Sequence, residues 1–305
     1  MLCCLVGVFF FFFFQAEDGI RDFCLSRGLG ADVVQPISWV IDYRGIYYDA
    51  TRPSDLEHLL LTTSFDDQLL ARSEALQAQI VASGLTKYNV GSGSWSPSSS
   101  HKKQDIQFKS GKIILVPGQV ESDASIALGA QKIRTNIDLL QAVRKANPDA
   151  YIVYKPHPDV VAGLRRRGKQ ESDASLWCDE IVDNAPVDKI INAVDEVHVL
   201  TSLTGFEALL RHKKVVTYGQ PFYSGWGLTE DQGPVDRRNR TLSLSELVAA
   251  TLILYPTYIS VTTGRFTTPE RVLHELSIWK SAGASKVSLS TRLRRLVIRY
   301  IVKVD

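Results

Sequence analysis

Through the middle of the chain, short apolar runs alternate with longer stretches in which apolar residues recur at helical spacing. KIILVP (112–117), YIVYK (151–155), EVHVL (196–200) and KVVTYG (214–219) are brief, rich in β-branched residues and bounded by turn formers, and EIV (180–182) is a shorter run of the same kind. Each predicts a strand. Between them the spacing predicts a helix from about Ile126 to Ala146, ended by Asn147-Pro148, helical material from the second strand to about Cys178, and a short helix in PVDKIINAV with proline at its start. TSLTGFEALL (201–210) leaves EVHVL through small and hydroxyl residues and enters a helix carrying one acid, Glu207. Strands alternating with helices predict an α/β fold with a parallel sheet covered on both faces. Ligands of such sheets bind beyond the carboxyl ends of the strands.

Upstream the pattern changes. ISWVIDYRGIYYD (37–49) is rich in β-branched and aromatic residues and reads as extended structure with a turn at Arg44-Gly45. Ser54 and Glu57 have capping-box spacing before a helix, and residues 66–83 predict another helix, stopped by Gly84. GSGSWSPSSSHKKQD, poor in apolar residues, opens an expected linker over 91–111. At the amino terminus, MLCCLVGVFFFFFF is shorter than the roughly 20 residues of a spanning helix and lacks the features of a signal peptide. QAEDGIRD, which follows, back-translates to a common sequencing-library adapter, so residues 1–25 are expected to be an assembly artefact rather than a membrane anchor. SRGLG (26–30) reads either way. ESDAS occurs at 121–125 and again at 171–175 with no wider similarity, which is not a repeat architecture.

Composition narrows the class. A chain of 305 residues with 45% hydrophobic and 22% charged positions has room for two ordinary domains. A net charge of +2 gives no argument for nucleic acid. Cys3, Cys4, Cys24 and Cys178 have neither metal-ligand spacing nor the look of a disulfide framework, which fits a reducing cytoplasm.

The polar clusters follow predicted strands. In VPGQVESDAS, Pro117 and Gly118 turn the chain and leave Gln119, Glu121 and Asp123 before a helix. A carboxylate there is a nucleophile or general base, or Ser122 or Asp123 is simply the helix cap, which spacing alone favours. In YKPHPD two prolines restrict His157, and Lys155 adds a positive charge, so the pair suits a phosphate or carboxylate. In TSLTGFEALL, Ser202, Thr204 and the amides around Gly205 suit a phosphate, Gly205 permits close approach, and Glu207 can accept from a ribose. An ordinary capped helix reads equally well. In YGQPFYSGWGLTED, Gln220, Tyr223 and Trp226 form either a lid or a packed surface loop, and residues alone favour the loop.

Taken together, VPGQVESDAS, YKPHPD, TSLTGFEALL and YGQPFYSGWGLT, with RGIYYDATRPSDLE upstream, resemble the bacterial capsule polysaccharide biosynthesis family of KpsC type, over about residues 26–275. Members of that family are glycosyltransferases that move β-linked Kdo, an acidic ketose, from CMP-Kdo. The resemblance implies a GT-B-like fold of two Rossmann-like domains with parallel sheets, the amino-terminal one incomplete. It divides the chain into the remainder of an acceptor domain (26–90), the linker (91–111), a CMP-sugar-binding domain (112–282) and a basic amphipathic helix (283–305). It implies a retaining mechanism with Asp123 as nucleophile, Glu121 as second choice and Asp49 as a candidate acid/base, although a turn-forming Asp49 reads equally well. Gln119, Lys155, the His157-Pro158 motif and the Ser202-Leu203-Thr204-Gly205 loop would hold the CMP phosphate, with Glu207 near the ribose. One phosphate on the donor, and no DxD-like pair at a strand end, lead us to expect transfer without a metal or cofactor.

The implied acceptor is a lipid-linked Kdo chain, and capsule assembly proteins are the implied partners. The expected location is cytoplasmic, at the inner face of the inner membrane. Arg292, Arg295, Arg299 and Lys303 on one face of the tail, and Leu293, Leu296, Val297, Tyr300 and Val304 on the other, suit an anionic membrane surface or packing against the first domain. Two alternatives stand beside this reading. One is a CDP-glycerol glycerophosphotransferase, against which the GQPFYSGWGLT loop speaks. The other is an inactive nucleotide- or carbohydrate-binding fragment.

Overall fold

The computed structural model describes residues 37–85, 95–96, 111–163 and 165–281, together with two strand segments nearer the amino terminus. In chain order the elements are β1 (Val6–Phe9), β2 (Phe12–Phe13), β3 (Ser38–Val40), α1 (Asp55–Thr62), α2 (Asp67–Ser83), β4 (Ile113–Pro117), α3 (Ala124–Gly129), α4 (Asn136–Ala146), β5 (Tyr151–Lys155), α5 (Pro158–Val161), β6 (Glu180–Ile181), α6 (Val187–Ala193) and β7 (Glu196–Val199). They continue with α7 (Leu203–Leu209), β8 (Lys214–Thr217), β9 (Glu230–Asp231), α8 (Leu244–Val248), β10 (Thr257–Ile259), β11 (Phe266–Thr267) and α9 (Pro269–Ser281). A 3₁₀ turn covers Glu171–Leu176, and α8 runs on into a π-turn over Ala249–Leu254.

β4 to β9 form one six-stranded sheet in the order β6-β5-β4-β7-β8-β9, and every pair in it is parallel. Alternation along the strands divides the core. Ile114, Val116, Ile152 and Tyr154 join Ile137, Leu140 and Val143 of α4 on one face. Leu115, Val153, Val197, Val199 and Val215 join Ile190, Phe206 and Leu209 of α6 and α7 on the other. Each such aliphatic side chain contributes about 1.5–3 kcal/mol by leaving water, so a strand buried on both faces is mostly apolar, and a polar position in it needs a buried partner, as Glu196 and His198 of β7 have in each other. That is why its apolar runs stand out in the sequence.

The helix expected from Ile126 to Ala146 is two helices. α3 ends at Gly129, whose carbonyl accepts the Gln220 amide at 2.7 Å. Thr135 then caps α4 by accepting from the Asp138 amide at 3.0 Å. The break brings the β8 loop against α3, a tertiary demand that helical spacing cannot reveal.

A smaller antiparallel sheet, β11-β10-β3-β1-β2, joins the two ends of the described chain, because β10 pairs with β3 (Thr257 opposite Trp39, Tyr258 opposite Ser38). Ser73 of α2 donates to the Ser245 carbonyl at 2.9 Å, and Arg72 pairs with Glu270 at 2.7 Å, so residues 243–281 lie back on α1, α2 and β3. The capping box expected of Ser54 and Glu57 is half present. Ser54 accepts from the Glu57 amide at 3.1 Å, but the Glu57 carboxylate turns to Arg237 and Arg238.

Of the expected linker (91–111) only Trp95, Ser96 and Gly111 are described, and Trp95 is buried and donates to Glu180 at 2.9 Å. The expected tail helix over 283–305, the SRGLG segment and Cys3, Cys4 and Cys24 lie outside the described residues. Among the described residues no helix is long and apolar enough to cross a membrane.

Along β7, from Glu196 at its amino end to His198 beside Tyr218 just after β8, runs a buried polar group with a pH consequence. His198 Nε2 lies 3.0 Å from Glu196 Oε2, and its Nδ1 lies 3.3 Å from the Tyr218 hydroxyl. The carboxylate can only accept, so Nε2 carries the proton and Nδ1 accepts from Tyr218. Burial pushes the His198 pKa down, against the pull of Glu196. Burial would raise Glu196, but hydrogen bonds from His198, Lys112 and Lys214 hold it at about 2. As pH falls below about 6.5, the unfolded His198 takes up a proton that the folded one refuses. Below the ordinary carboxylate range, Glu196 acts in the same direction. Stability therefore falls on acidification, with a slope of at most about 1.4 kcal/mol per pH unit from His198. The expected result is a urea midpoint lower at pH 5.5 than at pH 7.5, with the difference reduced in His198→Gln. An equal slope in that variant would remove His198 as its cause.

Candidate functional site

The strand order places a switch point between β4 and β7, where consecutive crossovers diverge to opposite sides of the sheet and open a crevice at the carboxyl edge. A cavity occupies that crevice, lined by the loops after β4, β5 and β7 and covered by residues from the β3–α1 segment and the β8–β9 loop. Gln119 stitches its floor together. Its side-chain amide donates to Thr201 Oγ1 at 3.0 Å and accepts from the Thr201 amide at 2.9 Å, while its backbone amide donates to Asn136 at 2.9 Å. The side chain that resemblance assigned to the nucleotide is thus committed to scaffold bonds.

Lys155 and His157 line the same cavity. Gly118 makes their approach feasible: its amide donates to the Lys155 carbonyl at 2.8 Å, and a Cβ there would stand 2.6 Å from the Tyr154 hydroxyl and 3.2 Å from the His157 nitrogen. Lys155 is 7% exposed, and among the described residues its ammonium donates only to the Asp183 carbonyl, at 3.3 Å. Burial pushes its pKa down, with the Asp183 charge opposing. A buried cation held by one backbone oxygen is a ready receiver for an anion. His157 caps α5, with Pro158 in the first turn; its Nδ1 accepts from the Asp159 amide at 3.2 Å. The neutral ring therefore carries its proton on Nε2, as a donor.

Asp123 also lines the cavity. It occupies the N-cap position of α3, yet its side chain makes no capping bond. The cap favoured by spacing is thus a backbone position only. Its charge reaches the cavity wall: burial raises the Tyr47 phenol first, then Tyr48, then Asp123. Glu121 is placed differently. Its two oxygens accept from the Asn136 amide at 2.9 Å and the Lys169 amide at 2.8 Å, tying the start of α4 to the 168–171 turn. Two carboxylates that look equivalent in sequence are separated by the fold into one facing the cavity and one spent on backbone amides.

Ser202 caps α7 by accepting from the Thr204 amide at 3.2 Å, and Ser202, Leu203, Thr204 and Glu207 all line the cavity. Gly205 does not reach it. A Cβ there would collide with the Tyr223 hydroxyl, which donates to the Ser202 carbonyl, so this glycine admits a tyrosine rather than a ligand. Tyr223 and Trp226 are 0% exposed, and Gln220 is bonded to Gly129, Gln131 and Pro234. The structure places all three in a packed loop, not on a lid. Asp49 accepts from Thr51 and pairs with Arg52 at 3.0 Å, the turn-forming arrangement, and does not line the cavity.

Sequence reasoning missed the aromatic wall. Tyr47, Tyr48 and Phe222 close the cavity, with Tyr47 edge-on to Tyr48 (5.3 Å between centroids) and to Phe222 (5.9 Å). The paired tyrosines before the polar turn DATRPS were the available signal. Among the described residues no group of three or more His, Cys, Asp or Glu side chains converges as metal ligands do.

The family model described as "Capsule polysaccharide biosynthesis protein" matches residues 11–258. The capsule polysaccharide modification protein LipA of Neisseria meningitidis serogroup A is 48% identical over 245 residues, covering 80% of this chain but 33% of LipA. The lipopolysaccharide-processing protein LpsZ of Rhizobium meliloti is 40% identical over 274 residues, covering 88% of this chain and 59% of LpsZ. The chain thus spans only part of the length of these relatives. Among solved structures, the β-Kdo 2,7 transferase of Thermosulfurimonas dismutans KpsC is similar at 45% identity and a TM-score of 0.67, over 87% of this chain and 76% of that one. The β-Kdo 2,4 transferase of the same KpsC is similar at 31% identity and a TM-score of 0.68, over 79% and 73%.

Proposed function

Because the chain belongs to the capsule polysaccharide biosynthesis protein family, we propose that it is a retaining glycosyltransferase that moves β-Kdo from CMP-Kdo to a lipid-linked Kdo acceptor. The observation that carries this reading is the joint presence, in one switch-point cavity, of a carboxylate with no capping bond, Asp123, a buried ammonium, Lys155, and an imidazole donor, His157. Similarity to Kdo transferases of known structure supports the choice of sugar.

In the proposed reaction Asp123 attacks the anomeric carbon of the donor. The bond from that carbon to the phosphate oxygen breaks, and CMP leaves with the electron pair. Lys155 and the Nε2–H of His157 stabilise the negative charge that grows on the leaving phosphate. The Ser202–Thr204 turn offers further donors to it. The acceptor hydroxyl then attacks the same carbon from the face CMP vacated, releases the carboxylate and gives its proton to water. Two inversions leave the configuration as it began.

Intact-mass spectrometry of the chain after incubation with CMP-Kdo is the test. The expected result is release of CMP with one sugar bound covalently, mapped by proteolysis to Asp123. CDP-glycerol run in parallel should give neither. Transfer with inverted stereochemistry, or CMP release from CDP-glycerol alone, would overturn the reading.

A further inference from the structure

The carboxylate of Glu57 binds two consecutive arginines from far along the chain. Arg237 Nε donates to Oε1 at 2.5 Å, and Arg238 Nε donates to Oε2 at 3.0 Å. Glu57 and Arg238 are both buried. Burying a carboxylate and a guanidinium is a poor way to gain stability, since desolvation offsets most of the attraction. The remaining donors show what the arrangement does. Arg238 Nη1 donates to the carbonyls of Pro221 at 2.6 Å and Ser224 at 2.8 Å, on either side of Phe222. Arg237 Nη2 donates to the carbonyls of Ala50 at 2.8 Å and Arg52 at 3.2 Å, just beyond Tyr47 and Tyr48. One carboxylate therefore fixes both backbone segments that carry the aromatic wall. Among the described residues the loops around Lys155 and His157 have no bond to this group, and the Ser202 turn meets it only through Tyr223, whose hydroxyl donates to the Ser202 carbonyl.

We infer that Glu57, Arg237 and Arg238 are positioning residues that hold Tyr47, Tyr48 and Phe222 beside Asp123, and that this wall receives the acceptor sugar. The inference rests on the function proposed above. Aromatic faces suit a sugar ring, and a displacement of about 1 Å in a positioning element can lower a rate by about a hundredfold. The donor phosphate, held chiefly by Lys155 and His157 on another loop, should sense it little.

The test compares Glu57→Gln with the double variant Glu57→Leu/Arg238→Met, in which apolar groups of similar size replace the buried pair. Replacing the charged pair itself is often neutral, Arg237, at the edge, can turn to solvent, and the cost that remains is the donor lost by the Pro221 and Ser224 carbonyls. The expected result for the double variant is a cooperatively folded protein of modestly lower thermal stability, with CMP affinity within about twofold of wild type and transfer from CMP-Kdo to a Kdo-terminated acceptor down by about tenfold or more. Glu57→Gln should show the same split. Wild-type transfer in the folded double variant overturns the inference, and so does a loss of CMP affinity in step with the loss of transfer. Should the wild type itself transfer no Kdo, the functional reading has failed, and hydrogen exchange judges the positioning role instead. Faster exchange confined to 47–52 and 221–226 in Glu57→Gln supports it, and unchanged or uniformly faster exchange overturns it.

Discussion

Asp123→Asn is expected to abolish Kdo transfer while leaving the fold and CMP binding intact. Asparagine is as good an N-cap residue as aspartate, and the Asp123 side chain makes no capping bond to lose. Its neighbours on α3 keep their backbone bonds to the Asp123 carbonyl, at 3.0 Å from Ile126 and 3.1 Å from Ala127. What the amide lacks is the negative charge and nucleophilicity that a double displacement requires, and removing a covalent nucleophile lowers turnover by about a thousandfold or more. The covalent sugar adduct should disappear with it. Glu121→Gln serves as the contrast. Its carboxylate accepts from two backbone amides, so the variant should lose about 1 kcal/mol of stability and keep its transfer activity. Asp123→Asn retaining a tenth or more of the wild-type rate, or Glu121→Gln being the inactive one, would reverse the assignment.

Lys155→Met is expected to move binding and stability in opposite directions. Methionine keeps most of the apolar stem and removes a buried ammonium that, among the described residues, has only the Asp183 carbonyl as hydrogen-bond partner. The ligand-free protein should then be as stable as the wild type or more so, by up to about 1–2 kcal/mol. CMP affinity should fall by about 2–4 kcal/mol, roughly 30- to 1000-fold in Kd, because the phosphate loses its buried charge partner. Titration calorimetry with CMP and thermal unfolding read the two effects separately. The wild type also has a pH signature. Burial lowers the Lys155 pKa, so CMP affinity should begin to weaken at a lower alkaline pH than it would for a surface lysine, and the variant should lack that limb. Unchanged CMP affinity in Lys155→Met would remove this residue from the site.

Much of the six-stranded half was legible in the sequence. The strands over 113–117, 151–155, 196–199 and 214–217 coincide with the apolar runs to within a residue or two, because burial on both faces favours an apolar composition. Lys155, His157 and Ser202 were legible for a related reason: a polar residue directly after such a strand stands at the carboxyl edge whatever else the chain does. Where reading failed, it failed on residues whose partners are remote. Glu57 has capping-box spacing with Ser54, but its carboxylate answers an arginine 180 positions away. Gly205 looked like space for a phosphate, and the space belongs to Tyr223. Tyr223 and Trp226 lie among glycines like lid residues but are fully buried.

By itself the sequence determined the order of strands and helices, the parallel sheet and the edge at which polar groups gather, since periodicity and burial are local properties of the chain. Only the tertiary structure decided which of two neighbouring carboxylates faces the cavity, which glycine serves packing, and which aromatics form its wall. Those choices depend on what arrives from the far end of the chain. A side chain takes the partner that best satisfies its charge and hydrogen bonds in three dimensions, and spacing along the backbone carries no record of that partner.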